Sequence, residues 1–179
     1  AQIAGGFLGA AAVYALFSPV IDHFAIAHGI DRLHDGAAAG VFFTHPGEFV
    51  TPMHSFLVET ILTGLLVFGI FAITYEHNTM APQANSGALI IGLLVAAIGA
   101  SAGYLDAWAI NPARDFGPRL FCYFAGWGPQ ALPAPGNYWW VPIAGPLCGG
   151  LIGAGLYRTL IQPFMPRPTL MDASVQTPV

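Results

Sequence analysis

Long apolar stretches alternate with polar segments along this chain, and four of the stretches are long enough to predict membrane-spanning helices. They cover residues 1–17, 54–75, 87–103 and 138–157. The first span is expected to end near Ser18 and Pro19, where a long polar connection covering residues 18–53 begins. Connections of this length are usually functional or disordered. Residues 76–86 form a short polar loop, and the end of the chain is a Pro-rich tail.

The stretch of residues 103–126 places helix-start residues and charged side chains between two apolar runs of membrane-spanning length. It contains Asn111 followed by Pro112, a pair favoured at a helix N-terminus. A helix from residue 112 to about residue 125 would be roughly 21 Å long, against a hydrocarbon core of about 30 Å. We therefore predict a re-entrant half-helix whose amino end points into the bilayer. Irregular backbone at that depth requires surrounding protein or a water-filled cavity, so the segment predicts a pore.

Composition agrees with a membrane protein, because only 8% of residues are charged and 55% are hydrophobic. The net charge of -4 and the five Lys and Arg residues, all of them Arg, give no indication of nucleic-acid binding. Cys122 and Cys148 both lie in apolar segments, so neither a disulfide framework nor a redox role is expected. The loop histidines lack the close spacing of metal ligands, so no metal and no cofactor is expected.

Two glycine-containing patterns indicate an internal repeat. Ile3, Ala4, Gly5 and Gly9 recur as Ile143, Ala144, Gly145 and Gly149. Channels are often built from inverted repeats, so the first and last spans are interpreted as equivalent helices. Residues 1–17 would then be the last span of repeat one, cut near its start rather than a signal peptide, and residues 54–160 would be repeat two.

The half-helix sequence resembles a known family. Asn111-Pro112-Ala113-Arg114-Asp115, continued by Phe116-Gly117-Pro118-Arg119, resembles the second Asn-Pro-Ala box of the aquaporin superfamily, in the form of bacterial glycerol facilitators. Residues 98–101 and 125–128 extend the match. The resemblance implies an all-α membrane protein, an aquaporin-like right-handed helical bundle with a re-entrant half-helix, here present as four spans and one half-helix. Residues 1–179 would then be a partial channel domain.

The resemblance also implies which residues line the pore. Asn111, Pro112 and Ala113 are the pore-lining box, and Arg114, Trp108 and Gly99 match the selectivity filter. The guanidinium offers a fork of donors to adjacent hydroxyls and opposes protons and cations, while an ion pair with Asp115 or another carboxylate is the alternative role of Arg114. The aromatic supplies an apolar wall and the glycine leaves room for a three-carbon polyol. Trp108 stands where Phe is usual, which would narrow the filter.

Other positions match the glycerol-conducting members of the resembled family. These markers are Asp115, Arg119, Pro142 and Ile143. Glu59 lies alone in its span and is expected to be a buried acceptor for pore-loop amides, with a proton relay as the alternative. Residues 104–109 are expected to be extended, with carbonyls facing the lumen. Asp106, which departs from the family, is hypothesised to raise the local negative potential and partly offset Arg114.

The sequence therefore predicts a channel, and not an enzyme, for passive diffusion of glycerol and related small polyols, with some water. The expected partners are small neutral solutes, water, the lipid bilayer and three further copies in a homotetramer. The expected location is the cell inner (plasma) membrane, as a multi-pass protein. Arg158 and Arg167 against Arg32 place the tail, residues 161–179, in the cytoplasm and residues 18–53 outside.

Three alternatives stay open at this point. Trp108 gives some support to a water-selective aquaporin. Glu59 would serve a proton-coupled secondary transporter. An intramembrane aspartyl hydrolase would use Asp106 and Asp115, but the neighbouring Arg114 would keep these carboxylates ionised rather than sharing a proton.

Overall fold

The chain folds into five α-helices joined by turns and short 3₁₀ segments in the part of it that the computed structural model describes, residues 1–78, 81–82 and 84–165. The helices are α1 (Gln2–Ala27), α2 (Pro52–Thr74), α3 (Gly87–Asp106), α4 (Pro112–Cys122) and α5 (Val141–Leu160). Four helical segments, all but α4, are long and apolar enough to cross a membrane. The predicted fold class, all-α with four spans and one half-helix, is confirmed.

Helix α1 is longer than predicted. It continues through Pro19 to Ala27, so the expected boundary at residue 17 and the start of a loop at residue 18 were wrong. A proline inside a helix removes one backbone hydrogen bond, but packing beyond it compensates. Ile21 is buried in a cluster with Ala38 and Ala39 of the following 3₁₀ helix. This contact holds the second half of α1 in place.

The connection from α1 to α2, residues 28–51, folds back onto the helices, and it is here called the cap. The guanidinium of Arg32 folds back onto α1, where it pairs with Asp22 and donates to the Tyr14 hydroxyl at 3.0 Å. The same group lies 4.4 Å from the ring centroid of Trp127, which follows α4. Thr51 then caps α2, its side chain accepting a hydrogen bond from the His54 amide. Arg32 therefore joins the connection to both α1 and the end of the half-helix.

Glycines set the closest helix crossings. A Cβ added at Gly64 of α2 would lie 3.3 Å from the Gly149 carbonyl oxygen of α5. A Cβ added at Gly117 of α4 would lie only 2.6 Å from the Ile3 carbonyl oxygen of α1. Small residues allow such approach of helix backbones. The half-helix is thus packed directly against α1, and α5 against α2.

The two glycine patterns interpreted as a repeat differ in their surroundings. A Cβ at Gly145 would lie 2.7 Å from the Glu59 Cβ, whereas Gly5 and Gly9 have no described atom within 4 Å of an added Cβ. The repeat interpretation and the domain boundaries drawn from it therefore stay predictions. The tail beyond Met165, with Arg167, lies outside the described residues.

Candidate pore-lining site

The irregular segment between α3 and α4 is shorter than predicted. Residues 104–106 form the last turn of α3, so the expectation that residues 104–109 are extended was wrong for this part. The reason is the helix cap: the Ala107 amide donates to the Gly103 carbonyl, and Ala107 adopts the left-handed conformation with φ 64°. The Leu105 carbonyl accepts from the Gly47 amide at 2.8 Å, so it faces the cap rather than a lumen.

The segment of residues 107–110, here called the pore loop, is conformationally strained. Ala107, Trp108 and Ile110 all have positive φ angles, of 64°, 40° and 41°. Such conformations cost a residue other than glycine on the order of 1–3 kcal/mol each and persist only when the surroundings impose them. The chain must therefore hold the pore loop through specific contacts.

Glu59 of α2 supplies the first of these contacts. Its carboxylate is fully buried and accepts from the Ala109 amide at 2.5 Å and the Ile110 amide at 2.7 Å. These are the hydrogen bonds expected from the sequence, and they satisfy two amides that a helix or strand would otherwise pair. A carboxylate anchored in this way fixes the backbone immediately before Asn111.

Asn111 caps the half-helix and lies at the protein surface. Its side-chain oxygen accepts from the amides of Ala113 at 2.9 Å and Arg114 at 3.3 Å, and Pro112 takes the first helical position. Since the oxygen is engaged, the carboxamide NH₂ keeps its donors for another partner. Helix α4 has 11 residues, about 16 Å, which is too short to span a bilayer.

The amino end of α4 borders an open cleft. The cleft has a volume of ≈ 620 Å³ and includes all three residues of the Asn-Pro-Ala box. It is lined by Ala1, Gln2, Ile3, Asn111, Pro112, Ala113 and Leu147. The positive end of the helix dipole is therefore directed at a space large enough for water and small solutes.

Arg114 is exposed, and it does not pair with Asp115. Its Nη1 donates to the backbone carbonyl of Phe42 in the cap, at 3.2 Å. Arg114 does not form the ion pair with Asp115 that the sequence left open, because that carboxylate pairs with Arg119. Most N–H donors of the Arg114 guanidinium thus stay available at the surface.

Trp108 and Gly99 are brought into contact, but not as expected. The indole lies against α3, where a Cβ added at Gly99 would be 2.6 Å from its Cε2 atom. The room expected at this glycine is therefore occupied by the Trp108 ring. The residue is still 37% exposed, so part of its apolar face is accessible.

Asp115 and Arg119 form a buried network behind the half-helix. Both are fully buried, and Nε and Nη2 of Arg119 donate to the two carboxylate oxygens at 2.7 and 3.1 Å. The Thr44 amide and hydroxyl also donate to Asp115, at 2.8 and 2.7 Å, and Arg119 Nη2 donates to the Thr44 carbonyl at 2.7 Å. The two marker residues therefore attach the cap to α4, two residues from the carbonyl that binds Arg114.

Two functional features were not found from the sequence. Thr44 and the Phe42 carbonyl carried no signal, because a loop threonine and a backbone carbonyl look like any others until the cap is folded. The other two markers, Pro142 and Ile143, lie in the first turn of α5, where Pro142 is fully buried. Their role as glycerol-type markers stays a prediction.

Comparison with known proteins identifies the family. Residues 1–157 match the family described as Major intrinsic protein. Aquaporin-7 of Mus musculus is 43% identical over 168 residues, which cover 93% of this chain and 54% of that protein. The glycerol uptake facilitator protein of Pseudomonas aeruginosa is 43% identical over 170 residues, covering 93% and 61%.

A solved structure shows the same architecture. The X-ray structure of the aquaglyceroporin from Plasmodium falciparum matches with a TM-score of 0.74 at 26% identity, covering 90% of this chain and 62% of that one. This chain thus spans about three fifths of the length of these relatives. The resemblance drawn from the half-helix sequence is confirmed. The chain belongs to the major intrinsic protein family, as a multi-pass membrane protein.

Proposed function

We propose that the complete protein containing this chain is a channel for passive diffusion of glycerol and related small polyols, with some water. The observation that carries the proposal is the amino end of α4, where the capping residue Asn111 lines an open cleft among membrane-length helices and the exposed Arg114 follows one turn later. The printed names of a glycerol uptake facilitator and an aquaglyceroporin among the similar proteins support this solute class.

The side chains at this site suit an amphipathic solute. A polyol presents hydroxyls on one side and CH groups on the other. The Asn111 NH₂ and the Arg114 guanidinium supply donors to the hydroxyl oxygens, and the accessible indole of Trp108 supplies an apolar wall. The Arg114 charge and the helix dipole oppose cations and protons, so a neutral solute passes and a cation does not.

The buried residues act on the solute only through the backbone. In this proposal Glu59 holds the pore loop, and the pair of Asp115 and Arg119 holds the cap that fixes Arg114. Gly99 acts by admitting the Trp108 ring into the wall of the passage. In this proposal the polar groups at the site bind the solute or orient the backbone, and none is assigned a catalytic step.

Assembly and location follow from the same proposal. We expect a homotetramer in the lipid bilayer of the cell inner membrane, with one pore in each protomer and residues 161–179 on the cytoplasmic side. Exposed apolar residues on all four spanning helices fit contact with lipid or neighbouring protomers.

Transport by the complete protein in liposomes tests the proposal. Stopped-flow light scattering measures osmotic responses to glycerol and to an impermeant sugar, with and without a pH gradient. We expect glycerol flux well above that of empty liposomes, unchanged by the gradient. Glycerol accumulation driven by protons would instead identify a coupled transporter using Glu59.

A water-selective pore is the second candidate, and one observation favours it. The Trp108 ring fills the space over Gly99, which leaves less room at the expected filter. High water permeability with no glycerol flux in the same assay would select this candidate and overturn the first.

A further inference from the structure

Asp106 is a second buried carboxylate at the pore loop. It ends α3, is 1% exposed, and its Oδ1 accepts from the Trp108 amide at 3.2 Å. Glu59 accepts from the next two amides, those of Ala109 and Ile110. Three consecutive amides of a strained segment are therefore held by two buried carboxylates from two different helices.

Fold stability does not explain an aspartate at this position. The second oxygen of Asp106, Oδ2, is buried without a hydrogen bond of standard geometry in the described part of the chain, and the Ser55 hydroxyl is the side-chain donor that this carboxylate faces. Burying a carboxylate with so few partners is unfavourable, so its presence indicates a gain elsewhere. The bond that it makes is local, from residue 106 to residue 108, and such bonds fix turn geometry.

The turn held by Asp106 determines where the Trp108 ring lies. Trp108 has a φ of 40°, a conformation that tryptophan rarely adopts without support. In that conformation its indole covers two glycines of α3, Gly99 and Gly103, both of which would collide with it if they carried a Cβ. A change in the backbone at Trp108 would lift the ring from α3 toward the exposed side.

We propose that Asp106 is a positioning residue that holds the Trp108 indole against Gly99 and Gly103 and thereby sets which polyols pass. The inference rests on the proposed function for its effect on solutes, but not for its effect on the ring. Without the bond, the indole samples several positions and the passage no longer discriminates glycerol from longer polyols.

The position of the ring is measured by ¹⁹F NMR of the complete protein labelled with 5-fluorotryptophan. Replacing Trp108 by Phe assigns its resonance. We expect one sharp Trp108 signal in the wild type and in Asp106→Asn, which keeps the acceptor oxygen, and a shifted or broadened signal in Asp106→Ala. The signals of the other tryptophans serve as internal controls and should not change.

Selectivity is measured on the same variants in liposomes, as the permeability ratio of xylitol to glycerol. We expect Asp106→Ala to raise this ratio by up to about fivefold, because one lost hydrogen bond shifts the equilibrium between ring positions by a factor of that order. Asp106→Asn should keep the wild-type ratio. If Asp106→Ala does not fold, the double variant Asp106→Ala with Ala107→Gly relieves the strain at position 107 and replaces it.

The outcomes separate this inference from the proposed function. An unchanged Trp108 resonance in folded Asp106→Ala would overturn the positioning role, whatever the protein transports. A changed resonance with an unchanged solute ratio would overturn the selectivity role. If neither the wild-type protein nor any variant conducts glycerol, the proposed function fails. The NMR result still decides whether Asp106 holds the ring.

Discussion

Two arginines of the same short helix have opposite surroundings. Arg114 is exposed, and within the described residues its guanidinium makes one hydrogen bond, to the Phe42 carbonyl. Arg119 is fully buried, donates to Asp115, Thr44 and Ala131, and stacks 4.2 Å from the Phe43 ring centroid. A buried guanidinium with its partners in place builds the fold, whereas an exposed one with free donors is available to a solute.

The difference shows how a charge is kept at a helix start inside a membrane protein. The cap must lie on α4 for its Phe42 carbonyl to reach Arg114, and the pair of Asp115 and Arg119 holds the cap there through Thr44. One arginine therefore carries the proposed filter and the other carries its support. Substitutions in the buried support and at the exposed site test these two roles separately.

The largest effect is expected from Arg119→Ala. The substitution leaves the Asp115 carboxylate buried without its cation, which costs about 3–5 kcal/mol of folding free energy. Denaturant titration of the detergent-solubilised complete protein measures the loss. Removing both charges, as in Asp115→Leu with Arg119→Met, should recover part of it, because no unpaired charge is left, although the buried Thr44 amide and hydroxyl lose their acceptor. Equal stability of Arg119→Ala and wild type would contradict the assignment.

Glu59→Gln tests the support of the pore loop. One of the two amides held by Glu59 would face the new NH₂ group and lose its acceptor, at a cost of about 1–3 kcal/mol. Hydrogen exchange of peptides covering residues 107–111 should become faster. Glu48→Gln, on the exposed cap, is the matched control and should leave exchange there unchanged. Slow exchange in Glu59→Gln would show that other contacts hold the loop.

Gly99→Ala tests the contact of the Trp108 ring with α3. The added methyl would lie 2.6 Å from Cε2 of the indole, so the ring must shift. We expect the shift to lower the free energy of unfolding by about 1–3 kcal/mol. Glycerol permeability of the liposomes should fall as the ring moves. Gly92→Ala is the control, because Gly92 lies in the same helix with no described atom within 4 Å of an added Cβ. Identical glycerol flux in both variants would refute the wall assigned to Trp108.

The smallest effect on stability is expected from Arg114→Ala, at no more than about 1 kcal/mol, since one exposed hydrogen bond is lost. Its effect on transport should be larger, because the charge that opposes protons is removed. A pH-sensitive dye inside the liposomes measures proton leakage. Arg158→Ala, at the far end of α5, should leak no more than wild type. An Arg114→Ala channel that leaks no more protons than the wild type would show that another group forms the barrier to protons.

The sequence predicted the parts of the fold that depend on local chemistry. Asn111 and Pro112 marked the start of α4, and the approximate bounds of α2, α3 and α5 followed from hydropathy. The isolated carboxylate Glu59 indicated its buried partners, because an acid in an apolar span must find donors.

The parts that depend on tertiary contacts, or on local geometry that the residue types do not indicate, were missed. Pro19 looked like a helix end, and only the burial of Ile21 against the cap shows why α1 continues. The sequence placed Arg114 beside Asp115, but helix geometry brings the residue four positions on, Arg119, to that carboxylate. The left-handed turn at Ala107 could not be read from an alanine, which rarely adopts it.

The central claim is that the amino end of α4 and the pore loop line the route taken by glycerol. Thiol block tests it most directly, in the complete protein with Cys148→Ser to remove the exposed native thiol, since Cys122 is buried. With Trp108→Cys added, we predict that a bulky thiol reagent abolishes glycerol flux into liposomes. Complete labelling of that cysteine with undiminished glycerol flux would contradict the account.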